Sequence, residues 1–285
     1  MCASMAGFAI NDVIMKFAFA KVPLFQAIFW RGLFAILFIA AIAWWFGALK
    51  RQTEWRHFLH PAVALRTLAE IGATTFFLSA LFAMPIANAT AILQALPLTI
   101  TLAAALLLGE TVGWRRYSAI AVGLIGVMLI VQPGADGFAA GSGWALLAVG
   151  AITMRDLATR FMPDALPSLL VGLLTAVVIT LAGAVGTLVG DTVALGLSDI
   201  LRLGSAAAFL GVGYVCSVLA MRHGDVGFVS PFRYTILLWA LVLGWAVFGN
   251  LPNSLALLGS VIVVASGLYT FVRERSARKA AAASL

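Results

Sequence analysis

The chain has 285 residues, 63% hydrophobic and 10% charged, with a mean hydropathy of +1.07 and a formal net charge of +7. A soluble domain carries roughly a quarter charged residues and about half apolar ones, so this composition excludes a soluble fold and defines a polytopic membrane protein. The basic residues form no stripe with interleaved aromatics, which argues against nucleic acid; they fall in short loops between apolar runs.

The first apolar run lacks a basic leader and a small-x-small cleavage site, so it is expected to stay as a transmembrane helix. A spanning helix needs about 20 mostly apolar residues. On that measure ten spans are expected, over roughly 2–20, 24–48, 65–84, 86–108, 115–132, 143–162, 166–190, 203–222, 226–248 and 253–272. Pro23, His60-Pro61, Met84-Pro85, Gly109-Glu110, the segments 132–137, 162–167 and 222–225, and the 250–253 turn punctuate them. The loops leave no room for a soluble domain. With the N-terminus inside, the inner loops and helix ends carry Lys and Arg at 50–56, 66, 115–116, 160, 222 and 273–279, and the outer ones only Lys21 and Arg202. This bias predicts that both termini are cytoplasmic.

Two charged blocks interrupt the apolar pattern. "NDVIMKF" (Asn11–Phe17) and "RDLATRF" (Arg155–Phe161) align when shifted by 144 residues, pairing Asp12 with Asp156, Lys16 with Arg160 and Pro23 with Pro167. Each block opens a five-helix half. Five is odd, so the second half crosses the membrane in the opposite sense, as in secondary transporters that hold substrate between inverted halves. In each block a base follows the acid by four positions, on the same helix face. The pair is either an internal ion pair locking the packing or part of a polar cavity or its gate, since charges at this depth seek partners.

Four stretches go beyond general hydrophobicity: residues 80–134 with "MPIANATAILQALP" and a terminal Gly109-Glu110, "NDVIMKF", "FWRGLFA" (29–35) and "SPFRYTILLWALVLGWAVFGN" (230–250). Together they resemble the drug/metabolite transporter superfamily, specifically its EamA-type ten-helix members. The resemblance covers essentially the whole chain, as EamA-like halves over 1–134 and 143–275 with a cytoplasmic tail over 276–285. One departure is visible: Asn250 stands where the family usually has Glu. The resemblance implies an all-α integral membrane carrier of the bacterial cytoplasmic membrane that exports small metabolites, with amino acids the main expectation. It is similar to YddG-type aromatic amino-acid exporters, and importers of riboflavin or S-adenosylmethionine share much of the pattern.

Several residues stand out as cavity or gate groups. Arg31 has no partner on its own helix, so it either pairs with Glu70 or anchors a substrate carboxylate, which guanidinium suits by its bidentate geometry. Gln94 lies one turn from Pro97, whose missing N–H frees a carbonyl within helix four. Tyr214, Tyr234 and Trp30 are aromatic candidates beside the acids Asp12 and Asp156. Lys16, Arg155, Arg160 and Arg233 are expected in ion pairs or gates, and Glu110 beside Arg115 and Arg116. Helices five and ten are expected to be peripheral. If Asp12, Glu70 and Asp156 are permanently paired with Lys16, Arg31 and Arg160, proton coupling is disfavoured. The sequence holds no HExxH, GxSxG, Walker A or dinucleotide motif, and no catalytic, metal or cofactor site is expected. The expected partners are a small-molecule substrate and the lipid bilayer, with no nucleic acid, and the chain acts as a monomer or weak homodimer. Cysteine labelling of intact cells checks the orientation: a cysteine in the 50–66 loop stays inaccessible to an impermeant reagent added outside.

Overall fold

The computed structural model describes residues 1–45, 47, 55–110, 113–133, 140–163, 165–223 and 229–283. Lys50, Arg51, the 134–137 turn and the expected 226–228 start of helix nine lie outside the described residues. Every described element is helical, and the described residues form ten rods. These are α1 (Cys2–Ala18), α2 (Leu24–Trp45), α3 (Pro61–Ala83), a broken rod of α4 (Ile86–Leu93) and α5 (Leu96–Leu108), α6 (Trp114–Val131), α7 (Ala140–Thr159), α8 (Ser168–Val189), α9 (Leu197–His223), a 3-10 turn (Ser230–Tyr234) running into α10 (Thr235–Phe248), and α11 (Ser254–Ala283). Among the described residues, eight of these rods are long and apolar enough to cross a membrane. The other two are α1 and α7, the rods with the charged blocks.

Several boundaries differ from the sequence expectation, each for a local reason. Helix three starts four residues early because Pro61 sits in its first turn, where its missing N–H costs nothing, and His60 Nδ1 caps it by accepting from the Ala62 amide at 3.2 Å. Helix eight starts at Leu197 rather than near 203, with Asp199 in its first turn accepting from the Gly196 amide. The last helix continues to Ala283. The break in helix four falls at Gln94–Ala95 rather than at Pro97. The Gln94 and Ala95 amides bond three residues back, to Ala91 and Ile92, and Pro97 sits harmlessly in the first turn of α5. Both α5 and α10 end on a left-handed glycine, Gly109 and Gly249, at matching places in the two halves.

The main helix interfaces are α3 with α7, α6 with α11, α2 with α8, and α1 with α9; α1 also meets α10, α7 meets α4–α5, α2 meets α9, and α3 meets α8. Exchanging the first rod for the sixth, the second for the seventh and so on maps α6–α11 and α2–α8 onto themselves and each other pair onto another in the same set. Apolar side chains gain little by leaving lipid for protein, so these contacts rely on close approach at small residues. At α1–α9, Ser4 Oγ donates to the Gly213 carbonyl at 2.6 Å. At α6–α11 the approach is closer: a Cβ on Gly259 would lie 2.5 Å from the Gly126 carbonyl oxygen, and one on Gly126 2.9 Å from that of Gly259. Gly259→Leu is therefore expected to cost about 1–3 kcal/mol by overpacking, read as a lower melting temperature in detergent, with Gly259→Ala intermediate.

Candidate functional site

At one end of the bundle the helices close on a plug. Val13, Met15, Ala18, Phe19 and Val22 from α1 and the turn after it pack with Leu78 and Leu81 of α3 and Ile86 of α4, and Phe248 of α10 lies against them. The polar element in this plug is Lys16. Its ammonium donates to the carbonyls of Leu81 and Met84, both at 2.7 Å, and sits 6.0 Å from the Phe248 ring centroid. A helix C-terminus presents unmet carbonyls and partial negative charge, so the end of α3 satisfies this cation without an acid.

Below the plug lies a cavity of about 440 Å³, within the usual range for small-molecule sites. It is built around the two interrupted rods. Thr90, Leu93, Gln94, Leu96, Pro97, Ile100 and Thr101 come from α4–α5, and Pro231, Arg233, Tyr234 and Ile236 from the 3-10 turn and α10. Met5, Phe8 and Asp12 of α1, Phe77 of α3, Arg155, Asp156 and Arg160 at the end of α7, and Gly267, Thr270 and Phe271 of α11 complete the lining. Phe77 also packs on the plug, so it marks where the cavity stops.

The expected ion pairs within the charged blocks do not form, because each base reaches a better partner on another helix. Lys16 leaves Asp12 for the α3 carbonyls. Asp12, buried, accepts from Asn11 Nδ2 at 2.9 Å and has no ion pair among the described residues. Arg160 pairs with Glu110 at 2.6 Å, across the exposed rim. Asp156 is instead held by Arg155, whose Nε donates to it at 2.7 Å while Nη1 reaches Glu70 at 3.2 Å. Glu70 also faces Arg66 at 3.8 Å, and Arg66 donates to Thr175 at 2.7 Å. Glu70 therefore serves Arg155 and Arg66 rather than Arg31. Arg31 interacts through space with Asp12 but lines no part of the cavity. The premise of three permanently paired acids fails at Asp12.

Of the cavity residues expected from sequence, the structure brings Asp12, Gln94, Asp156 and Tyr234 together with Arg155, Arg160 and Arg233. Trp30 packs on the plug cluster, edge-on to Phe29. Glu70 stands behind Arg155, and Tyr214 points its hydroxyl at Gly172 of α8, 3.6 Å from where a Cβ would stand. Helix ten is not peripheral: α11 carries part of the wall, and a Cβ on Gly267 would clash with the Tyr234 hydroxyl. Sequence reading passed over Thr90, although it lies four residues before Gln94 and so on the same helical face. It also passed over Phe8, Phe77 and Phe271, which look like ordinary lipid-facing residues. Among the described residues no cluster of His, Cys, Asp and Glu suits a metal.

A ten-rod helical bundle with a cavity closed at one end has the form of a multi-pass membrane transporter. The chain belongs to the EamA-like transporter family of the drug/metabolite transporter superfamily. The family model matches residues 1–132. A riboflavin transporter of Rhizobium johnstonii is 32% identical over 281 residues, 94% of this chain and 86% of that protein. An S-adenosylmethionine uptake transporter of Rickettsia bellii is 26% identical, over 96% and 92%. A protein of known crystal structure, 19% identical, superimposes with a TM-score of 0.62 over 96% of this chain and 98% of its own, a shared fold.

The one-sided cavity sets an accessibility pattern. With Cys2 and Cys216, both free, replaced by alanine, Thr101→Cys at the exposed part of the lining is expected to react with a water-soluble maleimide. Ala18→Cys, in the plug, is expected to stay unlabelled in the same preparation.

Proposed function

We propose that this protein imports a vitamin or nucleoside-like metabolite, riboflavin foremost, across the bacterial cytoplasmic membrane by alternating access between two inverted five-helix halves. The observation that carries the reading is the cavity itself, bounded by the two interrupted rods at corresponding places in the halves and sealed on one side. Interrupted segments at matching positions mark the substrate site in such carriers. The exchange symmetry of the helix interfaces, the matched glycine caps and the Asp12/Asp156 repeat support the inverted halves. In the orientation set by the basic loops, both termini and the open cavity face the cytoplasm, and the plug faces outward. Lys16 is then the latch of the outer gate, and the Arg160–Glu110 pair lies at the inner rim.

The substrate follows from the lining and the relatives. The proteins named riboflavin transporter and S-adenosylmethionine uptake transporter match nearly this whole chain, which favours uptake of a heteroaromatic metabolite over amino-acid export. The lining agrees. Arg31, the cation reserved for an amino-acid carboxylate, lies outside the cavity, Arg155 and Arg160 are already engaged, and Arg233 is the cation left at the lining. Phe8, Phe77, Phe271 and Tyr234 give the lining an aromatic character that suits a planar body. A second reading, S-adenosylmethionine, is favoured by Asp12, a buried carboxylate without a cation in contact that suits a sulfonium.

Proteoliposomes test this directly. Labelled riboflavin is expected to enter saturably and to exchange with unlabelled flavin, with tryptophan and other amino acids failing to compete. Competition by amino acids but not by flavins would overturn import of a flavin-like substrate. Asp12→Asn separates the two readings: it abolishes transport of a sulfonium and only weakens that of a neutral flavin. Lys16→Met keeps the apolar stem but removes the latch. If the latch is worth about 1.4 kcal/mol, the outward-open population rises about tenfold, read as new labelling of Ala18→Cys from outside.

A further inference from the structure

The polar groups of the cavity divide into two sets. Most are spent. Thr101 and Thr270 donate to the carbonyls of Pro97 and Ser266, and Arg155 and Arg160 are in ion pairs. Three are not. Thr90 Oγ1, Gln94 Nε2 and the Tyr234 hydroxyl have no hydrogen-bond partner, although all are buried atoms. Thr90 and Gln94 are 3% and 9% exposed, so bulk water does not serve them. Thr90 and Gln94 stand one turn apart on α4, and Tyr234 lines the cavity from the other interrupted rod with its hydroxyl against Gly267 of α11.

The chemistry of the three atoms is directional. An amide nitrogen donates only, a phenol donates readily, and a threonine hydroxyl both donates and accepts. Two donors together with a group that can accept are the chemical complement of a cyclic imide, the carbonyl, N–H, carbonyl edge of a pyrimidinedione or of the flavin ring. We propose that Thr90, Gln94 and Tyr234 form a subsite for this edge, resting on the heteroaromatic-import reading above. Gln94 Nε2 and the Tyr234 hydroxyl donate to the two ring carbonyls, and Thr90 Oγ1 accepts the ring N–H. Phe8, Phe77 and Phe271 cover the ring faces. This subsite reads the heterocycle and not the side chain attached to it, so a flavin ring without its ribityl chain binds as well. The site rejects rings whose imide nitrogen is blocked, because a buried polar group left unmatched discriminates more sharply than a lost apolar contact.

The test uses the full-length protein in nanodiscs, with riboflavin, lumichrome and N3-methylriboflavin as probes and flavin fluorescence as the binding signal. Riboflavin and lumichrome are expected to bind comparably, and N3-methylriboflavin about tenfold or more weaker. Thr90→Val, nearly isosteric, is expected to lose most of the preference for riboflavin over its N3-methyl form, and Thr90→Ser to keep it; Gln94→Met weakens riboflavin and lumichrome alike. The N3-methyl comparison on the unaltered protein needs no variant to fold. If riboflavin binds and is transported but N3-methylation or Thr90→Val changes nothing, the subsite is wrong and the import reading stands. If neither flavin binds, both are overturned.

Discussion

A charge held at membrane depth costs at least about 2.5–3.5 kcal/mol unless polar groups meet it, and this protein meets several of its charges across helices as well as within them. Lys16 is held by the carbonyls that end α3. Arg155 bridges Asp156 on its own helix and Glu70 on α3, and Glu70 extends the chain to Arg66 and Thr175 on α8. These connections tie the two rods that carry the charged blocks, α1 and α7, to their neighbours. They also decide the shape of the interior: where the charge is satisfied by backbone, the helices close, and where acids and bases face each other around a gap, they stay apart.

The same logic places the broken rods. A helix interrupted in lipid would leave amides and carbonyls unmet, so irregular backbone survives only inside the protein or along a cavity. The Gln94–Ala95 break and the 3-10 turn at Ser230–Tyr234 both border the cavity. Around them the glycine contacts at α6–α11 and α1–α9 let backbones approach closely.

The membrane class, the rod order and the charged blocks were legible in the amino-acid sequence, because hydropathy and turn residues act locally and lipid tolerates few alternatives. Asp12, Gln94, Asp156 and Tyr234 were legible as polar groups in apolar helices. Their partners were not. The spacing of Asp12 to Lys16 and of Asp156 to Arg160 allows an ion pair on one helix face, yet a long flexible base chooses among every acceptor within reach, and those acceptors belong to segments far away in sequence. Glu70 for Arg155, Glu110 for Arg160 and two carbonyls for Lys16 are tertiary choices.

What the sequence by itself determined was the number and kind of helices and which of them carry charge, since these depend on composition over a single span. Only the tertiary structure decided which face of each helix meets the cavity. Trp30 and Phe8 are both aromatic residues in apolar helices, but one packs in the plug and the other lines the cavity. Helix ten, bland in sequence, became a wall because Gly267 makes room for the Tyr234 hydroxyl. The physical reason is that lipid and protein interior are about equally apolar, so hydrophobicity sets no inward direction for a membrane helix. That direction comes from the close contacts and polar partners of the assembled bundle.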